Sequence, residues 1–464
     1  MTGTRIEHDA FGPVEIPVGR YWGAQTQRAL TLFAIGEERF QTRLIRAFGL
    51  QKIAAARANR RLGALDPALA DAIEAAAREL AEGAFDEHFP LTIWQTGSGT
   101  QTNMNANEVV ANRANECLGQ PLGTKSPVHP NDHVNRSQSS NDSFPTVMHI
   151  ATAVELRDRL VPALAELHGE LAAKAEAFAD VLKIGRTHLM DAVPMTMGQA
   201  FHAFARQVAN GIARIEATLA RLHLLPQGGT AVGTGLNAPP GFDAAFCQEA
   251  STLTGVSFEP NPSKFEGMAA HDALVEVSAA LNVVAVSLLK IANDVRFLGS
   301  GPRCGLGELV IPDDGLTSSI MPGKRNPTIA EVVAQAAFQT IGNHATVSAA
   351  GASGNFELNV AKPVLIYNVL QSIRVLADSA RVFATGLVRD LAVDRTRLEA
   401  NVTNALLLAT ALNPVIGYDK VAGITAKALA DGVTPREAAL ALGYVTGPEY
   451  DRLVDPRAMT GLDE

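Results

Sequence analysis

Four short stretches of this 464-residue chain concentrate side chains able to bind an anion or move a proton. The first runs Thr96-Gly97-Ser98-Gly99-Thr100-Gln101-Thr102-Asn103-Met104-Asn105. Its glycines free the backbone to approach a ligand, and its hydroxyls and amides can hold a carboxylate without burying a charge. No Gly-Lys-Ser/Thr follows and no strand precedes a G-x-G-x-x-G, so it is neither a P-loop nor a dinucleotide loop. An ordinary polar turn would have the same composition. The second stretch, His129 to Asp142, contains His129-Pro130-Asn131-Asp132-His133 and ends in Ser139-Ser140-Asn141-Asp142. Two histidines four apart could ligate a metal from one helix face. Pro130 and the Asn and Asp residues disfavour a helix there, and the metal with it. Ser139 to Asp142 precede a long helical pattern and read as a cap, where free N–H groups also attract an anion.

The third stretch is Gly185-Arg186-Thr187-His188-Leu189-Met190-Asp191, closed by Pro194. A histidine beside a threonine is more often structural than catalytic. The fourth is Thr317-Ser318-Ser319-Ile320-Met321-Pro322-Gly323-Lys324-Arg325-Asn326-Pro327, with Glu331 following in the next helix. Pro327 suits the first helical position and Asn326 the cap, and Pro327 holds Asn326 extended. If Lys324 is extended too, an ammonium and an amide lie side by side at a helix amino terminus, a good carboxylate receptor. Arg325 then points to the opposite side, toward a neighbouring segment.

Helices must position these stretches. Helical patterns run over about 37–62, 66–82, 105–117, 143–180, 196–225, 268–298, 328–350 and 362–390, and the first ~35 residues look irregular or extended. Asp66-Pro67 supplies a cap and first helical residue. The clearest seam is Leu274, Val277, Leu281, Val284, Leu288, Ile291, Val295, Leu298, spaced alternately by three and four. Val275, Val283, Val286 and Leu289 add apolar surface on other faces. Such a helix must be surrounded by others, within one subunit or between subunits; a large monomeric core fits the same pattern. The expected architecture is all-α, a long five-helix bundle over residues 139–395 between a domain over 1–138 and a small helical domain over 396–464.

Composition narrows the function. Lys and Arg total 39 against 48 Asp and Glu, a net charge of −9 that argues against a nucleic-acid or anionic-membrane partner. The three cysteines, Cys117, Cys247 and Cys304, have no metal or disulfide spacing. Charges interrupt the apolar stretches before about 18 residues, so no membrane span is expected. Nothing at the amino terminus reads as a signal peptide, so a reduced, cytoplasmic location is expected.

The sequence resembles the class II fumarases of the fumarase/aspartase superfamily, from Arg5-Ile6-Glu7 and Tyr21-Trp22-Gly23-Ala24-Gln25-Thr26-Gln27 to Ala438–Tyr444. Ser318 to Pro327 resembles the superfamily signature loop. Gly323, Ser300–Gly305 and Gly351–Asn359 fit fumarase better than aspartase. The resemblance implies reversible hydration of fumarate to (S)-malate without metal or cofactor. It implies a homotetramer with a shared multi-helix core and active sites drawn from three subunits. It makes Ser318 the carbon-proton base, His188 the proton donor to the leaving hydroxyl, and Glu331 the partner of His188. Ser98, Gly99, Thr100, Asn103, Ser139, Ser140, Asn141, Thr187, Ser319, Lys324 and Asn326 would bind the small dicarboxylate. His129, Pro130, Asn131 and Asp132 match a second anion site. Position 325, usually small and apolar in the family, is Arg here. A lyase acting on aspartate or a methyl-substituted fumarate, and an inactive helical scaffold, are the competing readings.

Overall fold

The computed structural model describes residues 3–462 and is all-α, with only short two-stranded pairings. By compactness the chain forms two interleaved units. Unit 1 comprises residues up to Pro162, Gly211–Val286 and Ala336–Ala377; unit 2 comprises Ala163–Asn210, Ser287–Gln335 and Asp378 onward. All five boundaries fall inside long helices: Val161–Ala177, Met197–Leu222, Asp272–Leu298, Thr328–Gly351 and Lys362–Phe383.

In unit 1, the Thr42–Arg61 helix packs on Pro67–Glu82. Asp66 caps the second helix by accepting from Ala68 N and Leu69 N, with Pro67 in its first turn. Gly49 permits the close approach of the pair, since a Cβ there would stand 2.4 Å from the Ala81 nitrogen. Phe48 and Phe144 stack edge-on in the core, with centroids 5.9 Å apart. The opening residues are less irregular than their composition implies. Thr4–Asp9 pairs with Gly12–Pro17, and Ala24–Leu32 is a helix. Buried Glu108 holds that helix start, accepting from Gly23 N, Gln25 N, Thr26 N and Thr26 Oγ1.

The helix expected from residue 143 begins at Ser140, because Ser139 and Asp142 form a capping box. It continues through a π-helical turn, Leu156–Leu160, into Val161–Ala177. The seam of the Asp272–Leu298 helix is buried from Leu274 to Val295. By length and composition this helix is apolar enough to cross a membrane, contrary to the sequence expectation; half of its most apolar window is buried inside the protein. Val283 and Val286 on the same helix remain exposed, as do Phe338 and Ile341 on Thr328–Gly351. In unit 2 a compact core of Val402, Leu412, Ile424, Ala438 and Tyr450 also takes in Ile184, from the Leu182–Thr187 strand.

His149 is buried inside unit 1, and its Nδ1 donates to Leu222 O at 2.7 Å. Burial pulls the imidazole down to about 4, against the Leu222 bond and with help from His223. The native state therefore keeps this ring neutral where an unfolded chain protonates it. Its contribution to stability is complete above about pH 6.5 and is lost as pH falls toward 4. His149→Asn retains a donor for Leu222 O but does not titrate. We expect it to flatten the decline of Tm between pH 6.5 and 4, measured by circular dichroism.

Candidate active site

Two of the polar stretches come together in unit 1, and the other two lie in unit 2. In unit 1, Gly99 adopts φ +77° ahead of the Thr100–Cys117 helix, which starts earlier than the expected 105. A Cβ at Gly99 would lie 2.1 Å from the Phe144 ring, so no other residue fits this turn. Ser98 Oγ and Thr100 Oγ1 stand 2.8 Å apart across it. The neighbouring helix start contributes half-buried Ser139, Ser140 and Asn141. Ser139 Oγ accepts from Asn141 N at 3.1 Å, and Asn141 Nδ2 donates to Ala231 O at 2.8 Å. Asn103 lies fully buried behind these groups, donating to Ser140 Oγ at 3.0 Å.

Asp142 fixes this corner. Its Oδ1 accepts from Ser139 N at 2.9 Å; its Oδ2 accepts from Gly228 N and Thr230 N at 2.9 and 3.0 Å. Burial pushes the carboxyl up to about 6, against these three N–H groups and the charge of Lys52. Lys52 is itself fully buried, and desolvation pulls it down to about 7, opposed by Asp142. Gln51, Lys52 and Gln138 thus belong to the support of the site, although the sequence reading passed over the first two. A Gln-Lys pair within an otherwise apolar helical stretch is the one trace of this in the sequence, and it does not show which way Lys52 points.

His129 Nδ1 accepts from Asn131 N and Asp132 N, both at 3.2 Å, and His133 Nδ1 accepts from His129 N at 2.9 Å. These bonds shape a short π-helical turn over Pro130–Val134. Among the described residues, no group of three or more His, Cys, Asp or Glu is placed to hold a metal ion.

In unit 2, Thr187 and His188 lie at the tip of an antiparallel hairpin of Leu182–Thr187 and Met190–Thr196. His188 and Leu189 take φ +57° and +63° to make the turn. Glu308, with no exposed surface, anchors the hairpin: it meets Arg186 Nη2 at 2.5 Å and Lys183 Nζ at 3.4 Å. Burial lowers the Lys183 ammonium below its usual range, and Glu308 opposes that. The tip itself is open, with Leu189 and Met190 75% and 69% exposed.

The fourth stretch is a loop preceding Thr328–Gly351, with Glu331 in that helix's first turn. Ser318 Oγ accepts from Ile320 N at 3.4 Å and Met321 N at 3.2 Å. Two backbone dipoles therefore favour negative charge on this oxygen. Lys324 Nζ donates to Asn326 Oδ1, so these side chains share one side, as the extended-segment argument requires. Arg325 pairs with Asp313 Oδ2 at 2.8 Å. Ser319, Lys324 and Glu331 are exposed in the single chain.

Two outcomes follow. Glu308→Gln strips the half-buried Arg186 and the buried Lys183 of their counter-charge; stability should fall by about 3–5 kcal/mol, read as a lower denaturation midpoint, together with kcat. Arg325→Val removes only an exposed ion pair, worth about 0–1 kcal/mol, and should leave kcat/KM within about 3-fold in a steady-state assay.

Comparison with known proteins identifies the family. Residues 12–342 match the family described as lyase, and residues 408–461 match the fumarase C C-terminus. The chain is 55% identical to a class II fumarate hydratase of Caulobacter vibrioides, over 99% of both chains. It is 54% identical to a mitochondrial fumarate hydratase of Rhizopus oryzae, over 98% of this chain and 92% of the other. The crystal structure of a class II fumarase from Schistosoma mansoni superposes with a TM-score of 0.97 at 41% identity, covering 99% of each chain. The chain belongs to the class II fumarate hydratase family.

Proposed function

We propose that the protein is a cytoplasmic hydro-lyase that interconverts fumarate and (S)-malate without metal or cofactor. The observation that carries this reading is the signature loop: Ser318 Oγ receives two backbone N–H groups, and Lys324 and Asn326 lie together at the same helix start. In the dehydration direction, Ser318 as alkoxide removes the proton from the carbon beside a carboxylate. A free serine hydroxyl is too weak a base, and the two N–H dipoles with nearby Lys324 lower that cost. The electron pair spreads onto the carboxylate as a doubly charged aci-acid, which needs fixed donors where charge develops. Lys324 and Asn326 supply them. Ser98, Thr100, Ser139, Ser140, Asn141 and Thr187 hold the two carboxylates, with Gly99 and Ser319 shaping their approach. His188 protonates the departing hydroxyl, directly or through a water, and Glu331 orients that imidazole and stabilises its charged form. His129, Pro130, Asn131 and Asp132 form a second anion site near the entrance.

The working unit is a homotetramer with each site drawn from three subunits. The open tip at Leu189 and Met190 and the exposed apolar residues on the bundle helices support this assembly. Purified protein given malate, aspartate or 2-methylmalate should generate ultraviolet absorbance from malate; absorbance from aspartate or 2-methylmalate instead would overturn the substrate assignment. Ser318→Ala and His188→Asn should each lower kcat about 10²–10⁴-fold with the assembly intact. Mixing the two inactive variants under subunit exchange should restore part of the activity. Exchange confirmed by mass with no activity regained would refute shared sites.

A further inference from the structure

Lys52 has no exposed surface and lies behind the hydroxyls of unit 1. Its Nζ donates to Asn103 Oδ1 and to Gln138 Oε1, both at 2.9 Å, and stands 3.5 Å from Asn135 Oδ1. An ammonium carries hydrogens and no acceptor, so each amide facing it must present oxygen. A neutral amine would still have two hydrogens for the two near acceptors. For Asn103 the consequence is a fixed polarity: with Oδ1 turned to Lys52, its Nδ2 donates to Asn135 Oδ1 at 3.2 Å and to Ser140 Oγ at 3.0 Å. Gln138 is fixed likewise; Gln51 Nε2 donates to its Oε1 at 2.9 Å, and its own Nε2 donates to Val134 O and Arg136 O.

Ser140 Oγ thereby receives a hydrogen bond from inside the protein, and its own hydrogen is left for an acceptor outside. We propose that Lys52 is a positioning residue: acting through Asn103, it sets the Ser140 hydroxyl as an obligatory donor to a substrate carboxylate. This rests on the proposed dicarboxylate binding at Ser140. A hydroxyl free to turn either way would present a lone pair to the anion part of the time; the buried chain Lys52–Asn103–Ser140 removes that orientation before substrate arrives. The interaction is with a ground-state carboxylate, so its loss appears mainly in KM.

A double-mutant cycle tests this with the intact assembly. Lys52→Met keeps the bulk and removes the donor; Ser140→Ala removes the final hydroxyl. Each should raise KM for malate about 10-fold with kcat within about 3-fold, and the double variant should stay near 10-fold rather than reach about 100-fold. A Lys52→Met enzyme with unchanged KM, or a fully multiplicative double variant, would overturn the proposal and leave Lys52 a core residue. If Lys52→Met does not assemble, Asn103→Asp serves, because the new carboxylate pairs with Lys52 and preserves the fold. Its second oxygen would take the Ser140 hydrogen inward, so KM should rise at least 10-fold in the wild-type background and rise no further when the change is added to Ser140→Ala. A rise that persists in the Ser140→Ala background would come from charge repulsion and would reject the relay. A wild-type protein inactive toward malate would instead reject the proposed reaction.

Discussion

A carboxylate removed from water must have every lone pair answered, and Asp142 is the point at which this protein meets that demand. Three backbone N–H groups from two separate segments converge on it, with Lys52 as the nearby positive charge. Because an unpaired buried charge would cost several kcal/mol, the helix start at Ser139 to Asn141 and the loop at Gly228 to Thr230 have one permitted arrangement. The hydroxyls and amides of that corner take their geometry from this constraint. Glu308 repeats the device in unit 2, where one buried carboxylate ties Arg186 and Lys183 and so fixes the strand leading to His188.

Much of the fold is legible in the residues because it follows from local periodicity. The seam from Leu274 to Val295 is buried along its length, and Asp66-Pro67 opens its helix as capping chemistry requires. Boundaries are less legible where side-chain bonds decide them. Ser140 rather than Ser143 begins its helix because of a reciprocal cap with Asp142, and Thr100 begins another because Gly99 turns left-handed. The early Ala24–Leu32 helix depends on Glu108, more than eighty residues away in sequence, and no local pattern could announce it.

The side chains of the candidate site stood out because four stretches are denser in hydroxyls, amides and imidazoles than turns need. The machinery behind them did not. A lysine among alanines, as in Gln51-Lys52-Ile53-Ala54-Ala55, reads as a stem lying along a surface with its head in water. Only the three-dimensional convergence of Asn103 and Gln138 shows that Lys52 points inward. Glu308 is likewise one carboxylate among many until Arg186 and Lys183 close on it. Local polarity marks where a ligand is held, whereas long-range pairing marks what holds the site rigid.

Central to the proposed function is that water adds across the double bond of fumarate through side chains alone. Proton NMR of fumarate incubated with the purified protein in heavy water containing EDTA tests it most directly. The predicted result is (S)-malate carrying a single deuterium at the methylene carbon, formed until equilibrium with fumarate is reached. Fumarate left unchanged, or malate formed only after a metal is restored, would contradict it.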